Sequence, residues 1–451
     1  MKIKSDIVIS YGKIRNITKT VLISLFLFFC IFQPPLPIST SYILIAMMMG
    51  YVSLRILKDG ELRIKKSLLY ALGGFIPFLI YFIMIMIPRI ITGADKRGLY
   101  LSSFFNTTTA IVFVGVSTAF LIVLSENNKI DSRNLMKFFI MVGMIQLVFV
   151  VFSYLIPSVQ TVLNNFVINY SKNDITAQNV RKTSFRVYGF SGYFFDYMGL
   201  ISSIIISIAF LKGIAENKVK YVSMAVMMLI IPLLNARTGI ILSAFGMITV
   251  IFFYFPKLSS KKVTKWCALA LVFALMLVLF FLSLPTGMQE WILDGFTSTS
   301  NIGEDNKDAG VYGQILGNDF VFPDGLGLLF GVGGRPESFG FFDKTNNYID
   351  SGYVQCIWRF GLIGTILLIA GIASVYIQMY RSKNPMIKNM GLVFAIIVML
   401  YLFKGYIVTV NGANFILISF PAMIIYEKSE RRSFYDKFAI CNYHNGNIQK
   451  I

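Results

Sequence analysis

Six charged residues stand in or beside long apolar stretches of this 451-residue chain: Arg89, Asp196, Arg237, Asp350, Arg359 and Lys404. A charge near the centre of a membrane helix costs on the order of 2.5–3.5 kcal/mol on insertion scales, so each needs either a route to water or a task. Snorkelling to the headgroups is the plain account for a single Arg or Lys, and it competes with a functional one at Arg89 and Lys404. Arg237 in the corner Asn235-Ala236-Arg237-Thr238-Gly239 and Arg359 in Trp358-Arg359-Phe360 are better read as functional. A guanidinium fork matches phosphoryl oxygens bidentately, and a low-dielectric rim strengthens each contact. A carboxylate such as Asp350 can act as a general base, or can cap a helix through the amides of Gly352 and Tyr353.

The elements that position these groups are apolar runs. Apolar residues make up 56% of the chain, aromatics 15% and charged residues only 14%, far from a soluble domain of this length. Twelve runs read as spans: roughly 16–33, 38–56, 67–89, 104–124, 136–156, 193–211, 220–235, 238–256, 265–284, 352–378, 388–409 and 411–426. Most approach the ~20 residues needed to cross the ~30 Å of hydrocarbon, where helices satisfy their own backbone polar groups. The expected fold is an all-α polytopic membrane bundle of about twelve helices, one integral domain over 1–451.

Charge sets the expected orientation. The segments 1–20, 55–66, 126–137, 212–220, 257–265, 381–388 and 427–451 hold 28 Lys and Arg against 9 Asp and Glu, the whole of the formal +19. Basic short loops stay in the cytoplasm, so both termini are expected there, and all six charges fall near the outer leaflet. Basic residues scattered over seven pieces do not form a nucleic-acid footprint. Gln33-Pro34-Pro35-Leu36-Pro37 follows the first run without a small-residue cleavage site, which makes that run an uncleaved anchor. The four cysteines have no paired spacing, so neither a disulfide framework nor a zinc site is expected.

Two long segments, 157–192 and 285–351, fall outside, and loops of that length tend to carry function. The first is basic and includes Arg186; the second is acidic and glycine-rich, and carries Arg335 in Gly333-Gly334-Arg335-Pro336. They either enclose an anionic ligand or are two solvated loops. No convincing metal set is present: Glu304, Asp305 and Asp308 read as solvated, and His444, the only histidine, is in the last segment. Aromatic residues crowd the outer rim, Tyr188 to Tyr197 and Phe339 to Tyr353, where sugar stacking competes with an ordinary interfacial belt. Ionisable groups gathered at one mouth rather than at mid-membrane fit an enzyme at the rim better than an ion-driven transporter.

Twelve spans, a large outside loop between the ninth and tenth, the Arg237-Thr238-Gly239 corner, and Asp350-Ser351 followed by Gly361-Leu362-Ile363-Gly364-Thr365 resemble the bacterial O-antigen polymerase (Wzy) and O-antigen ligase superfamily. In the ligases a histidine stands where this chain has Asp350, which favours the polymerase branch. The resemblance implies a glycosyltransferase-type architecture and a glycosyl transfer on the outer face of the membrane. The growing chain on undecaprenyl pyrophosphate would be the donor, and the hydroxyl of a fresh lipid-linked oligosaccharide repeat unit the acceptor. Under it Arg237 and Arg359 stabilise the leaving pyrophosphate, Arg186, Arg335 and Lys404 assist, Tyr353 joins the binding surface, and Asp350 is the general base. Neither cofactor nor metal is expected. The expected partners are the lipid-linked oligosaccharide, membrane lipid and a chain-length regulator protein. The competing readings are a flippase for the same lipid-linked saccharide and an O-antigen ligase.

Overall fold

A computed structural model describes residues 11–59, 72–128, 130–170, 186–297, 321–341 and 351–424. Among them the regular structure is helix, with no strand. In chain order the helices are α1 (Tyr11–Phe32), α2 (Thr40–Asp59), α3 (Ile76–Thr92), α4 (Arg97–Asn128), α5 (Ser132–Leu155) and α6 (Pro157–Tyr170). There follow α7 (Phe195–Glu216), α8 (Val219–Met228), α9 (Ile230–Asn235), α10 (Arg237–Tyr254), α11 (Ser260–Leu282) and α12 (Thr286–Thr297). The last are α13 (Leu326–Phe330), α14 (Gly352–Tyr380), α15 (Pro385–Tyr401) and α16 (Asn411–Ile424).

Among the described residues, eight helices are long and apolar enough to cross a membrane, and four shorter apolar stretches lie in the remaining apolar runs: Thr18–Phe32, Val219–Asn235, Pro385–Tyr401 and Asn411–Ile424. The protein is a multi-pass membrane protein. Two runs differ from the expectation. Residues 220–235 form two helices, broken at Leu229. The run 388–409 is helical only to Tyr401, so Lys404 lies in a buried connection and not within a span. That connection is as apolar as a helix because it is packed inside the protein, and hydropathy does not separate the two cases.

Helix α7 is the centre of the bundle, buried on all sides from Met198 to Ile214 and packed by α5, α8, α10 and α15. Its closest neighbour is α10. A Cβ on Gly239 would lie 2.6 Å from Gly199 Cα, and one on Gly246 would strike the Ser207 side chain. Small residues at these crossings let two backbones approach, the packing device available where apolar burial no longer drives association. The same contact fixes the N-terminus of α10, and with it Arg237, beside the start of α7. Helix α11 lies at the other extreme, with little of its apolar surface covered and Leu271 and Leu275 exposed. At the end of the bundle remote from Arg237, Lys212 pairs with Glu216 at 2.6 Å and Lys218 joins at 2.8 Å.

Helix α14 is broken at Gly361, where φ 70° and ψ 179° are accessible to glycine alone. The carbonyls freed by the break are not lost: Trp358 O accepts from Val332 N at 2.6 Å and from Gly333 N at 3.2 Å, and Phe360 O from the Tyr81 hydroxyl at 2.8 Å. The part from Gly361 to Tyr380, 20 residues at about 1.5 Å each, is long enough to cross ~30 Å of hydrocarbon alone. Arg359 belongs to the buried first segment, held against residues 329–333.

Gly361→Ala should destabilise the protein by about 1–3 kcal/mol from the backbone conformation alone, with the collision of its Cβ against Leu329 O added. The melting midpoint of the detergent-purified variant measures this, and an unchanged midpoint contradicts the break.

Candidate functional site

The rim of the bundle carries two groups of cations. The first is built on the strand-like segment that leads into α7. Gln160 Nε2 donates to Arg186 O at 3.1 Å, Val187 N donates to Leu234 O at 3.1 Å, Asn235 Nδ2 donates to Val187 O at 3.4 Å and Gln146 Nε2 donates to Tyr188 O at 2.8 Å. Three side-chain amides thus hold three successive residues, and the Arg186 side chain leaves from a fixed backbone. Its guanidinium stands 4.9 Å from the centre of the Phe195 ring and 4.6 Å from that of Trp291. Arg237 stands 4.9 Å from the same indole.

Two guanidinium groups sharing one tryptophan are an electrostatically costly pair. Burial pulls Arg186 below its ordinary range; the nearby Tyr188 and Asp196 raise it again, and the like charge of Arg237 lowers it. Arginine keeps its proton regardless, so the group answers by attracting anions. Indole faces lower the cost of holding cations out of water, by about 0.5–2 kcal/mol for each contact. Trp291 is the residue that sequence reasoning missed. The available signal was a lone tryptophan in the short helix-forming stretch after Pro285, inside a segment read only for its charge.

The second group surrounds the Gly361 break. Arg359 is 6% exposed, lies 4.3 Å from the centre of the Tyr406 ring, and its Nε has no hydrogen-bond partner. Arg335 is exposed, and its charge acts on Tyr406 together with that of Arg359. Lys404 is buried two residues before Tyr406. Arg89, for which snorkelling was one account, instead donates from Nη2 to Phe330 O at 3.2 Å and to Gly331 O at 2.5 Å, fastening the second outer segment to α3.

Tyr353 is turned to α15: its hydroxyl donates to Met399 O at 3.2 Å, and its ring meets Phe403 edge-on at 5.1 Å. Asp350 lies outside the described residues, as do Glu304, Asp305 and Asp308. The N-cap position of α14 is Ser351, and the Tyr353 amide, one of the two assigned to an Asp350 cap, donates to Leu402 O at 3.0 Å. The structure brings Arg186 to Arg237 at the start of α10, and Arg359 on α14 and Arg335 to Tyr406, in two separate groups; α15 packs against both α10 and α14. Among the described residues, no three His, Cys, Asp or Glu side chains gather where they could hold a metal ion.

No family model matches the chain, and no curated protein matches it. The site has to be read from its own chemistry. Cations held on aromatic faces, with the Arg186 backbone fixed by buried amides, concentrate positive charge in groups whose forks match the geometry of phosphoryl or carboxylate oxygens.

Gln146 is fully buried, and Gln146→Leu keeps its bulk while leaving Tyr188 O without its donor. A loss of about 1–3 kcal/mol is expected. Thermal unfolding of the purified variant checks it, and full stability shows that the amide does not hold the Arg186 segment.

Proposed function

We propose that the protein is a polysaccharide polymerase, joining oligosaccharide repeat units carried on undecaprenyl pyrophosphate at the outer face of the bacterial cytoplasmic membrane. The observation that supports this reading best is the convergence of Arg186 and Arg237 on Trp291, with the buried Arg359 at the same end of the bundle. A lipid-linked pyrophosphate presents its charge at headgroup level, its isoprenoid chain in the bilayer and its sugars in water. Fixed cations at the rim of an apolar helix bundle suit such a ligand, the cations facing its phosphates and the bundle's lipid-facing surface its chain.

In the proposed reaction the hydroxyl oxygen of the acceptor sugar attacks the anomeric carbon of the growing chain. The carbon–oxygen bond to pyrophosphate breaks, its electron pair leaves with the lipid pyrophosphate, and the hydroxyl proton passes to a base, assigned to Asp350. Arg237 and Arg359 stabilise the charge that develops on the leaving group, with Arg186, Arg335 and Lys404 assisting. Basic side chains then supply the stabilisation that a divalent cation gives elsewhere. Both termini, each within a basic segment, are cytoplasmic in this reading.

One observation favours the flippase alternative: α14 is a discontinuous helix, a feature of transporter sites. Its freed carbonyls are nevertheless occupied by Val332, Gly333 and Tyr81, and so do not line an ion path. Proteoliposomes holding this protein alone, supplied with lipid-linked repeat units, separate the two: polymer supports the polymerase, and movement without growth supports the flippase.

In that assay Arg237→Lys keeps the charge but loses the fork, and a fall of about tenfold or more in polymer yield is expected. Asp350→Asn should reduce turnover by about 10²–10⁴-fold if the carboxylate takes the proton. Chelation of divalent metals should leave turnover intact. Unchanged polymer from well-expressed Arg237→Lys, or turnover abolished by a chelator, refutes the cation-based mechanism.

A further inference from the structure

A cavity of about 340 Å³ opens beside the first cation group. Its walls come from the connection between α1 and α2, from residues 192–195 and Tyr197 entering α7, from Thr409-Val410 ahead of α16, and from Tyr170. The volume falls within the range of small-molecule sites, about 300–1,000 Å³. None of the described lining residues is charged. The wall combines aromatic rings, among them Phe195 and Tyr197, with the hydroxyls and amide of Ser39, Ser41, Thr409 and Gln33.

The polar wall is organised. Asn411 Nδ2 donates to Ser41 Oγ at 3.1 Å, Ser41 Oγ donates to Gln33 Oε1 at 2.9 Å, and Gly412 N donates to the Tyr193 hydroxyl oxygen at 3.0 Å. Behind them Asn411 Oδ1 is buried without a partner. Three described non-glycine residues have a left-handed backbone, and two of these, Gln33 at φ 40° and Phe195 at φ 51°, line this cavity. Such strain persists where the surroundings enforce it, and ligand clamps are one such place. Phe195 also joins the cavity to the cations, since its ring lines the pocket and carries Arg186 at 4.9 Å.

We propose that this cavity is a subsite for uncharged sugar rings of the saccharide substrate. Hydroxyl-rich rings stack on aromatic faces and exchange hydrogen bonds with hydroxyls and amides, which describes this wall. A pyrophosphate finds no cation among the described lining residues, and an isoprenoid tail would leave the polar groups of the wall without partners. The assignment rests on the polymerase reading for the identity of the saccharide. The chemistry is shared by two sources, the first sugars of the donor and the terminal sugar of the acceptor.

The probe is the oligosaccharide released by mild acid from the lipid-linked units that accumulate in cells lacking this protein, and so free of pyrophosphate. Purified wild-type protein should bind it by saturation-transfer NMR and calorimetry. Thr409→Trp, placed on a half-buried wall residue, should weaken that binding by about tenfold or more, while Arg237→Lys should leave it unchanged. Ser39→Trp, on a separate wall, guards against a folding defect confined to one variant. Equal binding by wild type and both tryptophan variants overturns the subsite, as does absence of binding by wild type. In the polymer assay, with long lipid-linked chains and short units varied in turn, the substrate whose half-saturating concentration rises in Thr409→Trp names the occupant. Polymer absent from wild-type proteoliposomes counts against the polymerase reading, whereas saccharide binding lost only in the tryptophan variants supports the subsite on its own.

Discussion

An arginine cannot discard its charge to suit a dry environment, so a protein that places one at a membrane rim must hold it, and every other feature of this rim follows from how it is held. Arg186 and Arg237 rest on one indole, Arg359 on a phenol, and Arg89 on two backbone carbonyls. Each arrangement limits the cost of desolvation in a different way. Arg89 spends donors on the protein's own backbone, which makes it a fastener, while Arg186, Arg237 and Arg359 are carried on aromatic faces.

Helix packing delivers these side chains. The Gly199–Gly239 approach draws the start of α10 against the start of α7, and α8 and α9 return the chain to the segment that bears Arg186. A larger residue at either glycine would separate the two backbones, and Arg237 would move away from Trp291. The site is thus a consequence of close backbone contact several residues deeper in the bundle. Its geometry is set by small residues that never meet a ligand.

Much of the scaffold was legible in the sequence. Apolar runs marked the helices because nothing else in such a chain can satisfy its backbone in lipid, and the Asn235-Ala236-Arg237 corner was visible as a polar interruption between two runs. Lys404 was misplaced because a buried, non-helical connection is as hydrophobic as a span. The break at Gly361 was visible as a glycine but not as a break, since its φ depends on residues 329–333 arriving from a distant part of the chain. Trp291 and the cavity beside Phe195 were hidden for the same reason. They are made by segments that meet only in three dimensions, and no local pattern encodes such a meeting.

The interruption in α14 also separates two mechanical regimes. Bilayers differ in thickness, and a continuous helix transmits the resulting mismatch along its whole length as tilt. Here the upper portion is latched to its neighbours through Tyr81, Val332 and Gly333. Arg359 thus takes its position from those latches, and the lower portion of the helix is not what places it.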